Sequence, residues 1–303
     1  MPERQIQPTT RSKYRGRFAP SPTGDLHFGS LVAAVGSFAQ ARSRGGQWLI
    51  RIEDIDPPRE VAGAAGRQIE ALKRFGMVAD GPIHYQSRAD ARHRRVIAGL
   101  VEAGTAFPCA CTRRDLGPGK VYPGTCRNGI PEGREERSVR LRVEDREIEF
   151  LDGIQGPCVQ NPARQTGDFV IRRAEGLIAY QLAVVVDDLD AGITEVVRGA
   201  DLLDSTGRQI HLHLCLNRPV PSYAHLPLVL DAEGRKLSKS DQDDPVVALP
   251  PGQGLRLALR ALGHEPPGGC RSLESQWQWV VSNWRMSRVP CGPVAVGEPP
   301  ETT

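Results

Sequence analysis

Alternation of apolar and polar positions begins at Tyr14. Arg15–Ala19 reads as a strand, Pro20–Gly24 as a turn, Ser30–Ala41 as a small-residue apolar helix, and Gln47–Ile52, rich in β-branched and aromatic residues, as a second strand. A strand, helix and strand in that order predict a right-handed βαβ unit with parallel strands, and hence an α/β fold. Helices over Arg67–Phe75 and Arg88–Ala103 follow. Between residues 104 and 145 the periodicity gives way to Cys, Pro, Gly and Arg, which predicts an inserted small module. Strand patterning returns at Asp168–Arg172, Ile178–Val186 and Ile193–Val197, followed by a helix over Asp204–Leu216. A short apolar run, Leu226–Leu230, ends in a turn signal at Asp231–Gly234, and a further helix is predicted over Leu255–Leu262. The pattern weakens from Pro266, and Pro290–Thr303, rich in Pro and Gly, is expected to fray.

Composition narrows the class without naming it. A chain of 303 residues allows about two domains. Its 39% hydrophobic and 25% charged residues are ordinary globular values, which excludes wholesale disorder. The net charge of +3 favours a polyanionic partner only weakly, so nucleic-acid binding would have to come from local patches. Met1–Lys13 is polar, has no apolar targeting core and reads as a disordered leader. The longest apolar stretches, such as Leu182–Val186, fall far short of a bilayer span, so a cytoplasmic protein with no membrane partner is expected. Of seven Cys, Cys109, Cys111 and Cys126 fall within 18 residues, which in a reducing compartment favours a metal over disulfides.

Two segments carry candidate phosphate chemistry. Arg17-Phe18-Ala19-Pro20-Ser21-Pro22-Thr23-Gly24-Asp25-Leu26-His27-Phe28-Gly29-Ser30 lies where a strand hands over to a helix, where unpaired amides and the helix dipole hold an anion. His27 is placed to hydrogen-bond a phosphoryl oxygen, although a lone His at a helix start also reads as a structural cap. Arg235-Lys236-Leu237-Ser238-Lys239-Ser240 sets two ammonium groups three residues apart, suited to the charge that develops as pyrophosphate departs. In this order the two segments resemble the paired signatures of class I aminoacyl-tRNA synthetases, in the form of the glutamyl branch, and the resemblance covers roughly residues 14–262. The first signature departs from the wider class by ending in Gly29-Ser30 where a second His is usual.

The resemblance implies a Rossmann-like catalytic domain with a parallel sheet, split into residues 14–103 and 146–249 around a zinc-binding module at 104–145. A short helical segment and tail would occupy 250–303. The chain ends about 60 residues after Ser240, which leaves no room for the branch's anticodon-binding domains. In that it resembles shortened paralogues that activate glutamate without tRNA and transfer it to the queuosine base of tRNA(Asp). Open alternatives are a minimal enzyme charging the 3′ end of tRNA(Glu), a small-molecule adenylating ligase, and a catalytically dead zinc-bearing RNA-binding protein. The implied catalytic residues are His27, Lys236 and Lys239, with His27, Gly29, Ser30 and Lys239 at ATP and its Mg²⁺.

Glutamate needs an Arg fork, an acid for its ammonium and short polar donors. Arg17 and Ser21 are candidates for one carboxylate. Glu53, at the carboxyl edge of the second strand, suits the ammonium. Tyr180 and Arg198 match glutamate-contacting positions of the family. Asp187 and Asp188, at the end of the apolar Ile178–Val186 run, are expected at an edge facing the site, where they order the pocket or a metal ion. Cys109, Cys111 and Cys126 form a moderate zinc signal by themselves, and the resemblance adds Tyr122 as the fourth ligand of a structural zinc site. Arg88, Arg92, Arg94, Arg95, Arg113, Arg114, Arg127 and Arg134 read either as solvated faces or as phosphate contacts for tRNA. A monomer is expected.

Overall fold

A computed structural model describes residues 13–116, 121–230 and 248–295. The segment Arg235–Ser240, with Lys236 and Lys239, therefore lies outside the described residues, as do the predicted leader up to Ser12 and the end of the tail.

The first half opens with β1 (Arg15–Phe18), α1 (Phe28–Ser43) and β2 (Gln47–Ile52), the predicted βαβ unit, and its strands are parallel with Arg17 opposite Leu49. α2 (Ala64–Arg74), the short β3 (His84–Tyr85) parallel to β2, and α3 (Asp90–Glu102) follow. Next come β4 (Ala106–Cys109), β5 (Ser138–Leu141), β6 (Ile148–Asp152), β7 (Gly156–Gln160), the single turn α4 (Pro162–Gln165) and β8 (Phe169–Arg172). α5 (Tyr180–Asp190), β9 (Glu195–Gly199), α6 (Thr206–Cys215), β10 (Ser222–Leu226) and β11 (Val229–Leu230) complete the second half. α7 (Pro251–Ala261), α8 (Leu273–Asn283) and β12 (Val294–Ala295), which pairs with β11, close the described chain.

One sheet runs β1-β2-β3 and another β7-β6-β10-β9, with β9, β10 and β6 parallel. Thr194, just before β9, joins them: its amide donates to the Arg15 carbonyl and its hydroxyl oxygen accepts from the Arg15 amide, each at 2.9 Å. β1 therefore has β2 on one flank and β9 on the other, and the chain order reverses there. Ligands of open α/β sheets bind beyond the carboxyl ends of the strands at such a reversal. Arg17, Glu53 and Arg198 all sit at those ends.

α1 is buried almost all round because it is clasped between β1 and β9 on one side and α7 and α8 on the other. Its approach to the sheet is so close that a Cβ at Gly36 would meet Leu226 Cδ1 at 2.6 Å. Among the described residues no helix is long and apolar enough to cross a membrane.

Several elements differ from the sequence expectation. The run Ile178–Val186 is not a strand: residues 180–190 form helix α5, with Gln181 through Asp188 buried. A short continuous apolar run has no period to separate a buried helix from a buried strand, and burial against α3, α6 and β8 overrides the β preference of its valines. Within 104–145 the flanks are strands after all, and β4, β5 and β8 make an antiparallel sheet. The hairpin of β6 and β7 and helix α8 were not anticipated.

Candidate active site

Alternation along β2 puts Arg51 and the following Glu53 on one face, opposite Trp48, Ile50 and Ile52 in the core. There they meet Arg17 from β1 and Asp188 from the last turn of α5. Arg17 Nε donates to Asp188 Oδ1 at 3.1 Å and its Nη2 to Oδ2 at 3.2 Å, a fork on one carboxylate. Arg51 Nη1 donates to the same Oδ1 at 2.5 Å, and its Nη2 to Glu53 Oε1 at 3.3 Å. Burial pushes the Asp188 carboxyl up, but the two guanidiniums outweigh it and hold its pKa at about 2. Glu53 has only the one long contact, so for it burial wins over Arg51 and Arg17, and its pKa is raised. Arg17, expected to await a substrate carboxylate, is thus already engaged by Asp188. Asp187, about 100° further back around α5, accepts from Gln86 Nε2 and pairs with His93 Nε2, both at 2.7 Å, so its carboxylate is engaged by these two rather than by Arg17.

Arg198 is held differently. On β9, 6% exposed, its Nε donates to His225 Nε2 at 3.0 Å, Nη1 to Gln209 Oε1 at 2.7 Å, and Nη2 to Thr206 Oγ1 at 2.9 Å and the Leu202 carbonyl at 3.3 Å. Its guanidinium carbon also lies 5.5 Å from the Tyr223 ring centre. Every one of these partners is uncharged, and among the described residues no carboxylate forms an ion pair with Arg198. A buried cation without a counter-ion is costly, and an anionic ligand removes that cost.

His225 is neutral because burial lowers its pKa more than the Asp152 hydrogen bond raises it. Asp152 Oδ1 accepts from the amides of His225, Ile154 and Gln155 at 2.9–3.0 Å, and its Oδ2 lies 2.5 Å from His225 Nδ1. These bonds overcome the effect of burial and keep the Asp152 pKa low. An ionised Asp152 requires the His225 proton on Nδ1, which leaves Nε2 as the acceptor that Arg198 needs.

Tyr180, expected in a strand, opens α5, half-buried, two helical turns before Asp188 and on the same face. The charges of Glu53, Arg198, Arg17 and Arg51 all act on its hydroxyl, whose pKa is raised chiefly by burial. The structure therefore brings Arg17, Glu53, Tyr180 and Arg198 together. Ser21 sits apart on the exposed turn after β1, its carbonyl bonded to the Thr23 amide and to Gln68 Nε2. His27 caps α1: its Nδ1 accepts from the Ser30 amide at 3.3 Å and its Nε2 lies 3.0 Å from Ser30 Oγ. Gly29 and Ser30 thus fall in the first turn of that helix.

The cysteine module forms a second, separate cluster. The ligand atoms of Cys109, Cys111 and Cys126 lie within 4.8 Å of one another, all buried, so one metal ion can reach all three. Tyr122 Oη is 3.5 Å from Cys109 Sγ and 4.0 Å from Cys111 Sγ, and accepts from the Cys126 amide at 2.7 Å. Although burial opposes it, contacts from Tyr122, the Cys111 amide and Arg140 bring the Cys109 thiol down to about 7. Burial and the neighbouring sulfurs push Cys111 up to about 11.

Much of the basic cluster is spent internally. Arg92 forks onto Asp190, Arg94 pairs with Asp90, Arg134 with Asp115, and Arg127 holds Asp168 and the Val143 carbonyl. Asp188 was expected at an edge facing the site, and it is there; Arg51, Asp152 and His225 were not singled out from the sequence. The period-two placement of Arg51 with Glu53 was a usable signal; the other two depend on a contact with each other over more than seventy residues.

Residues 13–248 match the family of class I tRNA synthetases (E and Q), catalytic domain. Over 93% of its length the chain is 51% identical to a Glutamyl-Q tRNA(Asp) synthetase of Chromobacterium violaceum, 97% of which is covered. It is 53% identical to one of Aromatoleum aromaticum, with 91% of this chain and 90% of that one covered. A glutamate tRNA ligase of Elizabethkingia meningosepticum, solved in complex with its amino acid, superposes with a TM-score of 0.81 at 25% identity, covering 94% of this chain and 67% of that one. The matching E and Q catalytic domain and relatives that run nearly the same length settle the lineage: the chain belongs to the glutamyl-Q tRNA(Asp) synthetase family of class I tRNA synthetases.

Proposed function

We propose that this chain activates glutamate with ATP, without tRNA, and transfers it to the queuosine base at the wobble position of tRNA(Asp). Its relatives' names support the acceptor. The observation that carries the amino-acid specificity is the buried Arg198, whose partners are all neutral, in the same pocket as Glu53. Arg198 takes the glutamate carboxylate that does not react, and Glu53 takes the ammonium. Glutamine, neutral at its side chain, would leave Arg198 uncompensated. Arg17, oriented by Asp188, and Tyr180 complete the glutamate site, from which Ser21 stands apart.

In the first step an α-carboxylate oxygen of glutamate attacks the α-phosphorus of ATP, and the bond to pyrophosphate breaks, giving glutamyl-adenylate. The N-terminus of α1, with His27, Gly29 and Ser30, holds phosphate, and Lys236 and Lys239 neutralise charge on the leaving pyrophosphate with Mg²⁺. In the second, a hydroxyl of the queuosine cyclopentene ring attacks the acyl carbon and AMP departs. The test is incubation with ATP, labelled glutamate and tRNA(Asp) with or without queuosine. Label is expected only on the queuosine-containing tRNA, and pyrophosphate exchange is expected with glutamate alone. Label on tRNA(Glu), or exchange only in its presence, would establish the minimal charging enzyme instead.

The cysteine cluster fits zinc. Bonds of about 2.3 Å to sulfur and 2.0 Å to oxygen place tetrahedral ligands about 3.8 Å apart for two sulfurs and about 3.5 Å for sulfur and oxygen. Cys111 and Cys126 Sγ are 3.7 Å apart, and Cys109 Sγ is 3.5 Å from Tyr122 Oη. Zinc bound here by Cys109, Cys111, Cys126 and Tyr122 would cross-link the module. Arg140 supports the set, donating from Nε to Cys109 Sγ at 3.3 Å with its guanidinium 4.0 Å from the Tyr122 ring centre. Elemental analysis of the purified chain should find close to one zinc per molecule, and C126S should lose most of it; metal-free wild-type protein would refute the assignment.

A further inference from the structure

Arg17 and Arg198 both lie close enough to Tyr180 for their charges to act on it, yet the fold treats them in opposite ways. Arg17 is gripped directly by a carboxylate, which consumes its charge. Arg198 also has a buried carboxylate nearby in the sheet, Asp152, but an imidazole stands between them. β9 and β10 are in register with Arg198 opposite His225, and β6 brings Asp152 alongside at the pairing of Tyr223 with Asp152. Asp152 is saturated by three backbone amides and the His225 ring. His225 is completely buried and stacks on Tyr223, with ring centres 6.2 Å apart and planes within 7°.

We propose that Asp152 and His225 are positioning residues for glutamate: Asp152 fixes the His225 proton on Nδ1, so the Nε2 lone pair holds the Arg198 guanidinium in place while leaving its charge for the substrate. A carboxylate in contact with Arg198 would compete with glutamate; a neutral acceptor oriented by a remote carboxylate does not. The remaining neighbours complete the cradle. Thr206 Oγ1, 3.2 Å from His225 Nε2, accepts from Arg198 Nη2, and Gln209 accepts from Nη1 while donating to Gln181 Oε1 at 3.0 Å. Four of the five guanidinium N–H groups are thereby directed, and one on Nη1 has no partner among the described residues.

The inference rests on the reading of Arg198 as a glutamate ligand and is tested on the full chain by tRNA-free pyrophosphate exchange, with KM determined separately for glutamate and ATP. In D152N the amide can donate to Nδ1, moving the ring proton to Nε2, where it would oppose the Arg198 Nε–H. In H225L the acceptor is gone, whereas in H225Q an amide oxygen can replace it. D152N and H225L should raise the glutamate KM roughly ten- to hundred-fold, the loss of a hydrogen bond to a charged group, with the ATP KM unchanged. H225Q should recover most of the loss. Unchanged glutamate KM in both, a parallel rise for both substrates, or no recovery in H225Q would overturn the proposal.

If these variants do not fold, ¹⁵N-histidine NMR of the unmodified chain decides. A neutral His225 ring protonated on Nδ1 at pH 7 is expected, and an imidazolium or an Nε2-protonated ring refutes it. R198M separates the two levels. If it leaves the glutamate KM intact, the ligand reading of Arg198 has failed; if R198M is impaired and D152N is not, only the positioning role has.

Discussion

R198M should abolish most glutamate activation while leaving the protein as stable as before. Methionine retains much of the side chain's apolar length but not its charge or fork. Removing one partner of a charge pair in a dry site costs about 2–5 kcal/mol, so kcat/KM for glutamate should fall roughly 30- to 5,000-fold. R198K should restore little, because a single ammonium cannot reproduce three nitrogens aimed at His225, Gln209 and Thr206. The melting temperature is the discriminating measurement. In the absence of ligand Arg198 is a buried cation with neutral partners, and deleting it removes a desolvation cost along with its hydrogen bonds. A Tm that falls together with activity would mark Arg198 as a structural residue.

D188N should do the reverse and fail first as a folding variant. Arg17 and Arg51 share the Asp188 carboxylate, and all three side chains are less than a tenth exposed. Loss of its charge leaves two buried guanidiniums with Glu53 as the one acid still in contact with them among the described residues, a change worth about 3–5 kcal/mol. For a chain of this size that lowers Tm by roughly 5–15 °C. The pH dependence has a definite sign. Asp188 has a folded pKa of about 2, below its ordinary value of 3.8, so its contribution is complete above the ordinary value and is lost as pH falls through the folded one. The stability gap between wild type and D188N should therefore stay constant from neutral pH to about 4 and close below it. A gap that narrowed near pH 6 would mean that another group is responsible.

The contrast between these two arginines shows where sequence reasoning reached its limit. Both were legible as carboxylate ligands from residue type and motif position. That one is neutralised from within and the other is not depends on Asp188 and Asp152, which are 171 and 46 residues distant in the chain and enter through α5 and β6. The expected strand at Ile178–Val186 put the first of these at an edge facing the site but gave no sign of its contact with Arg17. As a strand its end would lie far from Tyr180, but as a helix it carries Tyr180 and Asp188 along one face. The unanticipated hairpin of β6 and β7 hid the second.

By itself the sequence determined the local units: the β1-α1-β2 crossover, the His27 cap, the spacing of Cys109, Cys111, Tyr122 and Cys126, and the lineage carried by residues 17–30. These are set by short-range periodicity, turn chemistry and motif, all contained within a few tens of residues. Only the tertiary structure decided which buried charges pair. Ionisation and hydrogen bonding in a dry site depend on distances of about 3 Å between strands and helices whose order along the chain says nothing of their contact. So the sequence supplied Arg17, Glu53 and Arg198, and the packing of α5, β6 and β10 around them left Arg198 as a buried charge held by neutral partners among the described residues.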